Sequence, residues 1–356
     1  MSLFDLSNLG TSAVIFGAAA AASYLLGFSV RRWLVRWQVV DHPNLRSSHE
    51  TPTPRGGGLG MMAVVLLGGA WVNGQGAGML AWTVLVSTAV VAVVSFWDDR
   101  RSLPWQARFG VQTVVAVIVS AELACRLAPS HGPLVALAAG GVFTFVIVGY
   151  ANAFNFMDGI NGLAGGQALV AGLGTAMLSL AAGAPASHPA IVLSLILAGS
   201  AGGFLPHNFP RAKMFMGDVG SVPCGFLLAA AAAWVARDFG WWLLVPLGLL
   251  HMNFLLDTGV TLVRRVWRGE RWQDAHREHF YQRLVRAGRS HVFATLLEMG
   301  LQGIVIGLLL EFHRVGAAGR TVLACVVLSI WLGLFIWAER RFRRASAAGR
   351  IQVSQR

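Results

Sequence analysis

Long apolar segments alternate along this chain with short stretches rich in Gly, Pro and charged residues. Most of the segments are close to the ~20 residues that an α-helix needs to cross the hydrocarbon core of a bilayer. The pattern predicts eleven transmembrane helices, at about 11–30, 57–73, 79–97, 109–125, 134–151, 166–183, 190–205, 221–236, 240–262, 292–312 and 321–338. No repeat, low-complexity tract or long linker divides the chain. We therefore predict an all-α polytopic membrane protein in which residues 1–356 form one domain.

The distribution of basic residues predicts how these helices are oriented. Successive connections lie on alternate sides of a membrane, and 24 of the 28 Lys and Arg residues fall on one side, with 4 on the other. Basic residues accumulate in cytoplasmic loops, so the N-terminus is predicted to be outside and the C-terminus inside. The cytoplasmic segments are then about 31–56, 98–108, 152–165, 206–220 and 263–291, followed by a basic tail, 339–356. The first residues lack the basic start of a cleaved signal peptide, so the first span is expected to remain.

The composition excludes several classes of protein. Only 12% of the residues are charged and 55% are hydrophobic, with a mean hydropathy of +0.61, whereas soluble domains carry about 25% charged residues. These values exclude a soluble enzyme, a secreted disulfide scaffold and a disordered chain. The three cysteines lie in or at the ends of apolar runs, without CxxC or metal-ligand spacing. We interpret them as core residues and not as redox centres.

Two adjacent carboxylates, Asp98 and Asp99, close the third span and are followed by Arg100, Arg101 and Arg108. Adjacent carboxylates repel each other unless a positive group lies beside them. One interpretation is an interfacial charge cluster neutralised by its own arginines. The other is a site for Mg²⁺, which takes one or two carboxylates and completes its shell with waters and substrate phosphates. The pair alone does not decide between them.

The third cytoplasmic connection, NAFNFMDGINGLAGG, places Asn152, Asn155, Asp158 and Asn161 at three-residue steps. Residues three apart lie on one face of a helix, so this spacing predicts a single polar stripe. Polar groups at the membrane boundary cost free energy unless they find partners. Because a turn that only ends a span needs one Asn or Gly, contact with a ligand is the favoured interpretation.

The fourth connection contains FMGDVGS just before a predicted span. Its glycines, including Gly217, let the backbone approach a ligand closely, and Asp218 lies where a helix N-terminus would accept an anion or a metal. Phe215 offers a flat face to a base, and Asn208 precedes the motif. No GK[ST] sequence follows the glycines, so the chain has no Walker A loop and ATP hydrolysis has no support.

The longest cytoplasmic loop contains HREHFYQRL, with His276 and His279 three residues apart. These histidines suit a transition metal by spacing alone, but no neighbouring Cys or HExxH pattern supports zinc. Contact with phosphates explains the loop better, because guanidinium groups bind phosphate oxygens bidentately; we favour this role for His276, His279 and Arg283. The first loop adds His49 and Arg55 in a Pro- and Gly-rich stretch.

These groups all lie on one membrane face, and no pair of ionisable groups lies at mid-bilayer as in a transport pathway. The motifs DHPNLRSSH, NAFNFMDGINGLAGG, FMGDVGS and HREHFYQRL, together with the Asp98–Asp99 pair, resemble those of the polyprenyl-phosphate N-acetylhexosamine-1-phosphate transferases. The resemblance extends from about residue 41 to 285. It implies a UDP-N-acetyl sugar as donor, undecaprenyl phosphate as acceptor, Mg²⁺ or alternatively Mn²⁺ as cofactor, and UMP as a product.

The resemblance also implies roles for individual residues. Asp218 resembles the Mg²⁺ ligand, Asp98 the group that deprotonates the lipid phosphate, and Asp99 an assistant at the phosphate or the metal. The base itself stays open among Asp98, Asp99 and Asp158. The uridine would be held by Asp158, Gly159, Asn208 and Phe215, and the diphosphate or sugar by His276, Arg277 and His279. Further candidates for substrate binding are His49, Arg55, Arg108, Asn152, Asn155, Asn161, Gly217 and Arg283.

Two differences from the phospho-MurNAc-pentapeptide transferases predict which branch of the family the chain resembles. The chain lacks the triple histidine of the phospho-MurNAc-pentapeptide transferases and has eleven predicted spans where that branch has ten. Its HRxHxYQ pattern resembles the O-antigen branch that handles N-acetylfucosamine, with N-acetylglucosamine as the next candidate. The peptidoglycan branch and a lipid-linked saccharide transporter remain the alternatives. The expected location is the bacterial inner membrane, with an active site on the cytoplasmic face. Membrane lipid is an expected partner and nucleic acid is not. The resemblance also implies a possible homodimer, since members of the family are often dimeric.

Overall fold

The computed structural model describes residues 9–41, 51–271 and 276–349. In these ranges the chain is helical apart from connections and one antiparallel pair of two-residue strands, so the all-α prediction is confirmed. The strands are β1 (Val40–Asp41) and β2 (Thr53–Pro54), with Val40 opposite Pro54. The helices are α1 (Leu9–Arg36), α2 (Gly58–Asn73), α3 (Met79–Arg101), α4 (Trp105–Ala124), α5 (Ala128–His131), α6 (Pro133–Phe156), α7 (Leu163–Ala181), α8 (Pro189–Asn208), α9 (Asp218–Phe239), α10 (Leu244–Leu250), α11 (Met252–Trp267), α12 (Phe280–Arg286), α13 (His291–Leu310) and α14 (Ala317–Ala347).

Each of the eleven predicted spans coincides with helical structure. Nine helices in the described ranges are long and apolar enough to cross a membrane, and α10 with α11 form a bent pair that makes a tenth candidate. The remaining segment, α2, has 16 residues and rises about 24 Å, less than the ~30 Å hydrocarbon core. The structure therefore shows a multi-pass membrane protein, while eleven full crossings and the orientation of the termini stay predictions.

The segment predicted as one span at 240–262 is broken at His251. Its two halves, α10 and α11, meet at an angle of 71°. Nearby side chains provide hydrogen bonds at the break: the Gln302 amide donates to the Leu250 carbonyl, and the His251 ring is hydrogen-bonded to the Tyr150 hydroxyl at 2.8 Å. Broken helices are stable at membrane depth only where such partners replace the missing backbone hydrogen bonds.

Helix α9 lies at the centre of the bundle. Its apolar window is 100% buried, whereas that of α1 is 22% buried and that of α3 is 50% buried. It packs against α2, α3, α6, α7 and α8, and its run of alanines from Ala229 to Ala233 allows these neighbours to approach closely. The N-terminus of α9, with Asp218 as its first residue, therefore opens at the middle of one end of the bundle.

Candidate active site

Three carboxylates and two guanidinium groups meet where α3, α4, α9 and the segment before α2 converge. Arg55 Nε lies 2.7 Å from Asp99 Oδ1, and Arg55 Nη2 lies 2.6 Å from Asp218 Oδ1. Arg108 Nη1 lies 2.6 Å from Asp98 Oδ2 and 3.1 Å from Asp218 Oδ2. We call these five residues the carboxylate centre. The structure thus joins three predicted catalytic residues to two predicted substrate-binding residues.

Asp98 and Asp99 point to different partners although they are adjacent in the chain. The Asp99 carboxylate accepts hydrogen bonds from the backbone N–H groups of Asp218 and Val219, both at 3.0 Å, so it caps the N-terminus of α9 from another helix. Asp98 accepts a hydrogen bond of 2.6 Å from the Leu103 N–H, just beyond the end of α3. The fully buried Asp99 side chain favours a positioning role for this residue over the predicted contact with phosphate or metal.

Glycines allow the backbone to pass close to this centre. Gly217 has a φ of +74°, and a Cβ added to it would lie 2.6 Å from Asp99 Oδ2. Where α2 crosses α9, a Cβ on Gly58 would lie 2.3 Å from the Gly220 Cα. The Phe215 N–H donates to the Pro54 carbonyl at 2.8 Å, so the FMGDVGS motif is paired with the segment that carries Arg55. The predicted Phe215 and Gly217 therefore adjoin the centre.

The two arginines lie between the carboxylates and the solvent. The side chains of Arg55 and Arg108 are 38% and 32% exposed, while those of the three aspartates are no more than 9% exposed. Burial acts to lower the pKa of Arg55, but the carboxylates of Asp218 and Asp99 raise it overall, so the guanidinium stays charged. An incoming phosphate would meet these guanidinium groups first, and such groups bind phosphate oxygens well.

The prediction of one polar stripe on a helix is wrong beyond Asn155. Helix α6 ends at Phe156, so Asp158 and Asn161 lie in the turn before α7, because the glycines that follow do not continue the helix. Asn155 Nδ2 donates to Asp218 Oδ2 at 3.4 Å, and its Oδ1 accepts from Ser221 Oγ at 2.7 Å. Asn152 instead donates to Gln112 on α4 at 2.7 Å.

The turn that carries Asp158 lies between the carboxylate centre and the histidine loop. Burial, partly offset by Arg55, raises the pKa of Asp158 to about 7. A Cβ on Gly159 would lie 2.1 Å from the Tyr281 hydroxyl, which donates to the Phe156 carbonyl at 3.1 Å. Gly159 is therefore required for this close approach, and a direct contact with uridine stays a prediction.

Two predicted amide residues, Asn208 and Asn161, are hydrogen-bonded to neighbouring loops of the protein. Asn208 Oδ1 accepts from the Gly162 N–H at 2.7 Å, and its Nδ2 donates to the Met214 carbonyl at 3.0 Å. Asn161 Nδ2 donates to the Pro210 carbonyl at 3.2 Å, and its backbone carbonyl accepts from Thr295 Oγ1 at 2.8 Å. In this arrangement the two asparagines hold the loops of the site together.

Asp257 organises the histidine loop, and we did not predict it as a site residue. Its Oδ1 is 2.9 Å from His279 Nδ1 and accepts from the Phe280 N–H at 3.0 Å, while its Oδ2 accepts from the Tyr281 N–H at 3.4 Å. The carboxylate therefore orients the His279 ring and caps α12. The sequence signal for Asp257 was its position as an acid inside an apolar span just before the loop with the histidines. Its partner His279 is 22 residues further along the chain, so the pairing could not be predicted from that signal.

His276 and His279 face each other with ring centroids 4.8 Å apart. Burial, together with His279 and Arg265, lowers the pKa of His276 to about 4, so its ring is neutral at pH 7. Both ring nitrogens of His276, and Nε2 of His279, are buried without a hydrogen-bond partner among the residues that the structure describes. These three nitrogens have unused hydrogen-bonding capacity, and the predicted contact with phosphate or sugar stays a prediction.

Three other predicted residues have different surroundings. Arg283 is buried and paired with Glu339 at 2.5 Å and Glu278 at 3.5 Å, so it belongs to an ion-pair cluster and not to the carboxylate centre; these partners favour an anchoring role over the predicted substrate contact. Arg277 is half-buried, and burial together with Arg286 lowers its pKa. His49 lies outside the described residues.

The carboxylate centre has the chemistry that a hard divalent cation requires. Asp98 and Asp218 approach the same nitrogen of Arg108, at 2.6 and 3.1 Å, so their oxygens are close enough to serve one ion. Across the described ranges, no group of three or more His, Cys, Asp or Glu side chains is arranged to hold a metal. Mg²⁺ needs no such group, because one or two carboxylates suffice when substrate phosphates and waters complete its shell.

Comparison with known proteins finds one matching family model and several similar proteins. A family model for glycosyl transferase family 4 matches residues 81–236, a range that includes Asp98, Asp99, Asp158 and Asp218. The chain is 34% identical over 328 residues to the decaprenyl-phosphate N-acetylglucosaminephosphotransferase of Mycobacterium tuberculosis, covering 81% of this chain and 79% of that protein.

Two further relatives represent other named activities. The chain is 30% identical over 328 residues to a probable undecaprenyl-phosphate N-acetylglucosaminyl 1-phosphate transferase of Bacillus subtilis, covering 86% of this chain and 83% of the relative. It is also 30% identical over 321 residues to the phospho-N-acetylmuramoyl-pentapeptide-transferase of a Synechococcus species, covering 83% and 91%. In each case the similarity extends over most of both chains.

Proposed function

Since the chain belongs to glycosyl transferase family 4 and is a sugar-1-phosphate transferase, we propose that it transfers the sugar-1-phosphate of a UDP-N-acetyl sugar to undecaprenyl phosphate. The products are undecaprenyl-diphospho-sugar and UMP. The observation that supports this proposal is the carboxylate centre, in which three aspartates and two arginines meet at one end of the bundle. Acids and guanidinium groups at a membrane boundary suit a reaction between two phosphates, one soluble and one attached to lipid.

The reaction forms one P–O bond and breaks another. An oxygen of the lipid phosphate attacks the phosphorus that bears the sugar, and the bond from that phosphorus to the oxygen of UMP breaks, so UMP leaves with the bonding electrons. Positioning and electrostatic stabilisation account for most of the catalysis in such transfers. We propose that Arg55 and Arg108 bind phosphate oxygens and that Asp98 accepts the proton if the lipid phosphate arrives protonated. Asp99 holds Asp218 in place through the N-terminus of α9.

We propose Mg²⁺ as the cofactor, with Mn²⁺ as the alternative, and Asp98 and Asp218 as the residues that would hold it. When bound, the ion offsets negative charge on the diphosphate. The two arginines that neutralise these carboxylates in the structure would then be released to the phosphates of the substrates. The charges that enter the site would offset each other, because the positive ion accompanies the negative phosphates.

The donor is proposed to lie across the turn that carries Asp158. An ionised carboxylate there can accept a hydrogen bond from the N3–H of uracil, and Phe215, two residues before the Gly217 backbone that is hydrogen-bonded to Asp158, is the proposed stacking surface. The unpartnered nitrogens of His276 and His279 would then contact the diphosphate or the sugar. N-acetylglucosamine is the first sugar to test, because two relatives are named for it, and an N-acetylfucosamine-like sugar is the second, on the HREHFYQ motif. We propose a role in O-antigen or related surface polysaccharide synthesis, with the site on the cytoplasmic face of the inner membrane.

The test is UMP release by the detergent-purified protein, supplied with undecaprenyl phosphate, Mg²⁺ and a panel of UDP-N-acetyl sugars that includes UDP-MurNAc-pentapeptide. We expect release with one donor, loss with EDTA, and recovery with added Mg²⁺. Asp218→Asn should abolish release, whereas Asp238→Asn, at the opposite end of the same helix, should retain it. Turnover preserved in the Asp218 variant would refute the assignment, and folded wild-type protein that is inactive with every donor would favour the transporter alternative.

A further inference from the structure

Helix α14 is longer than a membrane crossing requires. It contains 31 residues and therefore rises about 46 Å, compared with ~30 Å for the hydrocarbon core. The predicted span ended at 338, and the helix continues to Ala347. We call residues 338–347 the α14 extension. It begins on the same end of the bundle as the histidine loop, because its side chains contact α12.

The α14 extension contacts α12 through an ion pair and an aromatic ring. Glu339 Oε2 lies 2.5 Å from Arg283 Nη1, and the Arg283 guanidinium carbon lies 5.0 Å from the centre of the Phe342 ring. The guanidinium of Arg286, one turn further along α12, lies 4.9 Å from the same ring. Cations over aromatic faces at such distances are attracted to them, so two arginines of α12 are fixed to one segment of α14.

Glu339 also connects α12 to α11. Arg264, near the end of α11, places its Nη1 3.6 Å from Glu339 Oε2 and its guanidinium 5.1 Å from the Phe280 ring. Arg264 and Arg283 thus approach the same carboxylate oxygen, and burial together with Arg264 lowers the pKa of Arg283. Without the Glu339 charge the two guanidinium groups would repel each other across the contact between α11 and α12.

The contact matters to the site because His279 precedes α12 directly. The His279 N–H is hydrogen-bonded to Gln282 Oε1 at 3.3 Å within the first turn, so a shift of α12 would move the His279 backbone relative to Asp257 of α11, which orients its ring. We propose that the α14 extension positions the histidine loop for sugar transfer, with Glu339 as the positioning residue that acts through Arg283. This inference rests on the proposed function for its catalytic consequence, but the mechanical link can be measured without substrates.

The test combines hydrogen–deuterium exchange with UMP release in the full-length purified protein. In Glu339→Gln we expect amide exchange in residues 280–286 to become about tenfold faster or more, and UMP release to fall about tenfold, because small displacements of reacting groups are costly. Glu311→Gln is the matched control. Its carboxylate forms an exposed i,i+3 ion pair with Arg314, so neither measurement should change.

Arg283→Gln and the double variant separate anchoring from substrate contact. If Glu339 acts through Arg283, the double variant loses no more activity than the more affected single variant. A further loss in the double variant would show that Arg283 contacts the donor and would overturn the assignment. Unchanged exchange in Glu339→Gln would refute the mechanical link, and faster exchange with unchanged release would refute its catalytic role. If the wild-type protein releases no UMP with any donor, the proposed function fails, and the exchange measurement alone decides the link.

Discussion

Replacement of Asp99 by Asn tests whether this carboxylate positions Asp218 or acts on the substrate. Asparagine keeps the shape of the side chain but loses its charge and one acceptor oxygen. At least one of the two N–H groups at the start of α9 then faces an NH₂ group, and Arg55 Nε loses a charged partner that lies 2.7 Å away. Because the Asp99 side chain is fully buried, water cannot replace these hydrogen bonds.

The magnitude follows from these contacts. A hydrogen bond to a charged group contributes about 1.5–3 kcal/mol, and breaking a buried ion pair costs about 3–5 kcal/mol. The cost of breaking a buried ion pair applies only in part, because the Arg55 side chain is 38% exposed and keeps its ion pair with Asp218 at 2.6 Å. We therefore expect Asp99→Asn to lower the free energy of unfolding by about 2–4 kcal/mol. Displacement of Asp218 by a fraction of an ångström to 1 Å should lower turnover about 100-fold.

The assays are thermal unfolding and the pH dependence of UMP release, with Asp238→Asn as the control. Asp238 accepts from Trp234 Nε1 at 2.9 Å and lies 3.1 Å from His188 Nε2 at the opposite end of α9, so its loss should lower stability without a comparable fall in turnover. In Asp99→Asn the shape of the pH profile should be retained. If instead the unfolding midpoint is unchanged while turnover falls and the residual activity loses one limb of the pH profile, the positioning argument is wrong and Asp99 handles a substrate proton.

Three further variants test other parts of the site. Gly217→Ala should lower UMP release by about tenfold or more, because the φ of Gly217 is +74° and an added Cβ would lie 2.6 Å from a carboxylate oxygen. The control is Gly333→Ala, where an added Cβ meets nothing within 4 Å and UMP release should not change. Equal effects of the two substitutions would refute the steric argument. The KM for the UDP-sugar should fall as the pH rises through about 7, where Asp158 ionises, and this dependence should vanish in Asp158→Asn; a dependence that persists there belongs to another group. Asp257→Asn should lower kcat about tenfold, since orientation of the His279 ring through Nδ1 is lost, and a normal kcat would exclude that role.

Much of the architecture could be predicted from the sequence, because a helix that crosses a lipid bilayer needs about 20 predominantly apolar residues. Apolar length predicted where the helices lie, whereas only the resemblance to a family predicted that Asp98, Asp99 and Asp218 serve one site. The break at His251 was not predictable in this way, since residues on both sides are apolar and the hydrogen bonds that allow the break come from Tyr150 and Gln302, far away in the chain. The polar stripe at Asn152 to Asn161 was overextended for a related reason: three-residue spacing does not show where a helix ends.

The functional predictions divide in the same way. Asp98 and Asp218 were recognisable because each is an acid at the boundary of an apolar span, whereas Arg55 lies in a Pro- and Gly-rich loop and became a candidate only through the resemblance to the family. Asp257 and Glu339 were not recognisable, because each is a single acid in or beside an apolar helix and its partners belong to a different element. Their importance depends on which helices become neighbours, and periodicity contains no information about that.

The central position of α9 has a mechanical consequence for an enzyme that works in bilayers of varying thickness. Mismatch between a helix and the hydrocarbon core is accommodated by tilting the helices that touch lipid. Helix α9 is enclosed on every side, whereas α3, which carries Asp98 and Asp99, is enclosed over only half of its apolar window. A thinner or thicker bilayer would therefore press α3 to slide along a fixed α9. The packing of α3 along α9 and the two hydrogen bonds from the start of α9 to Asp99 would resist that sliding, so the side chain that holds Asp218 would also help to keep the site insensitive to bilayer thickness.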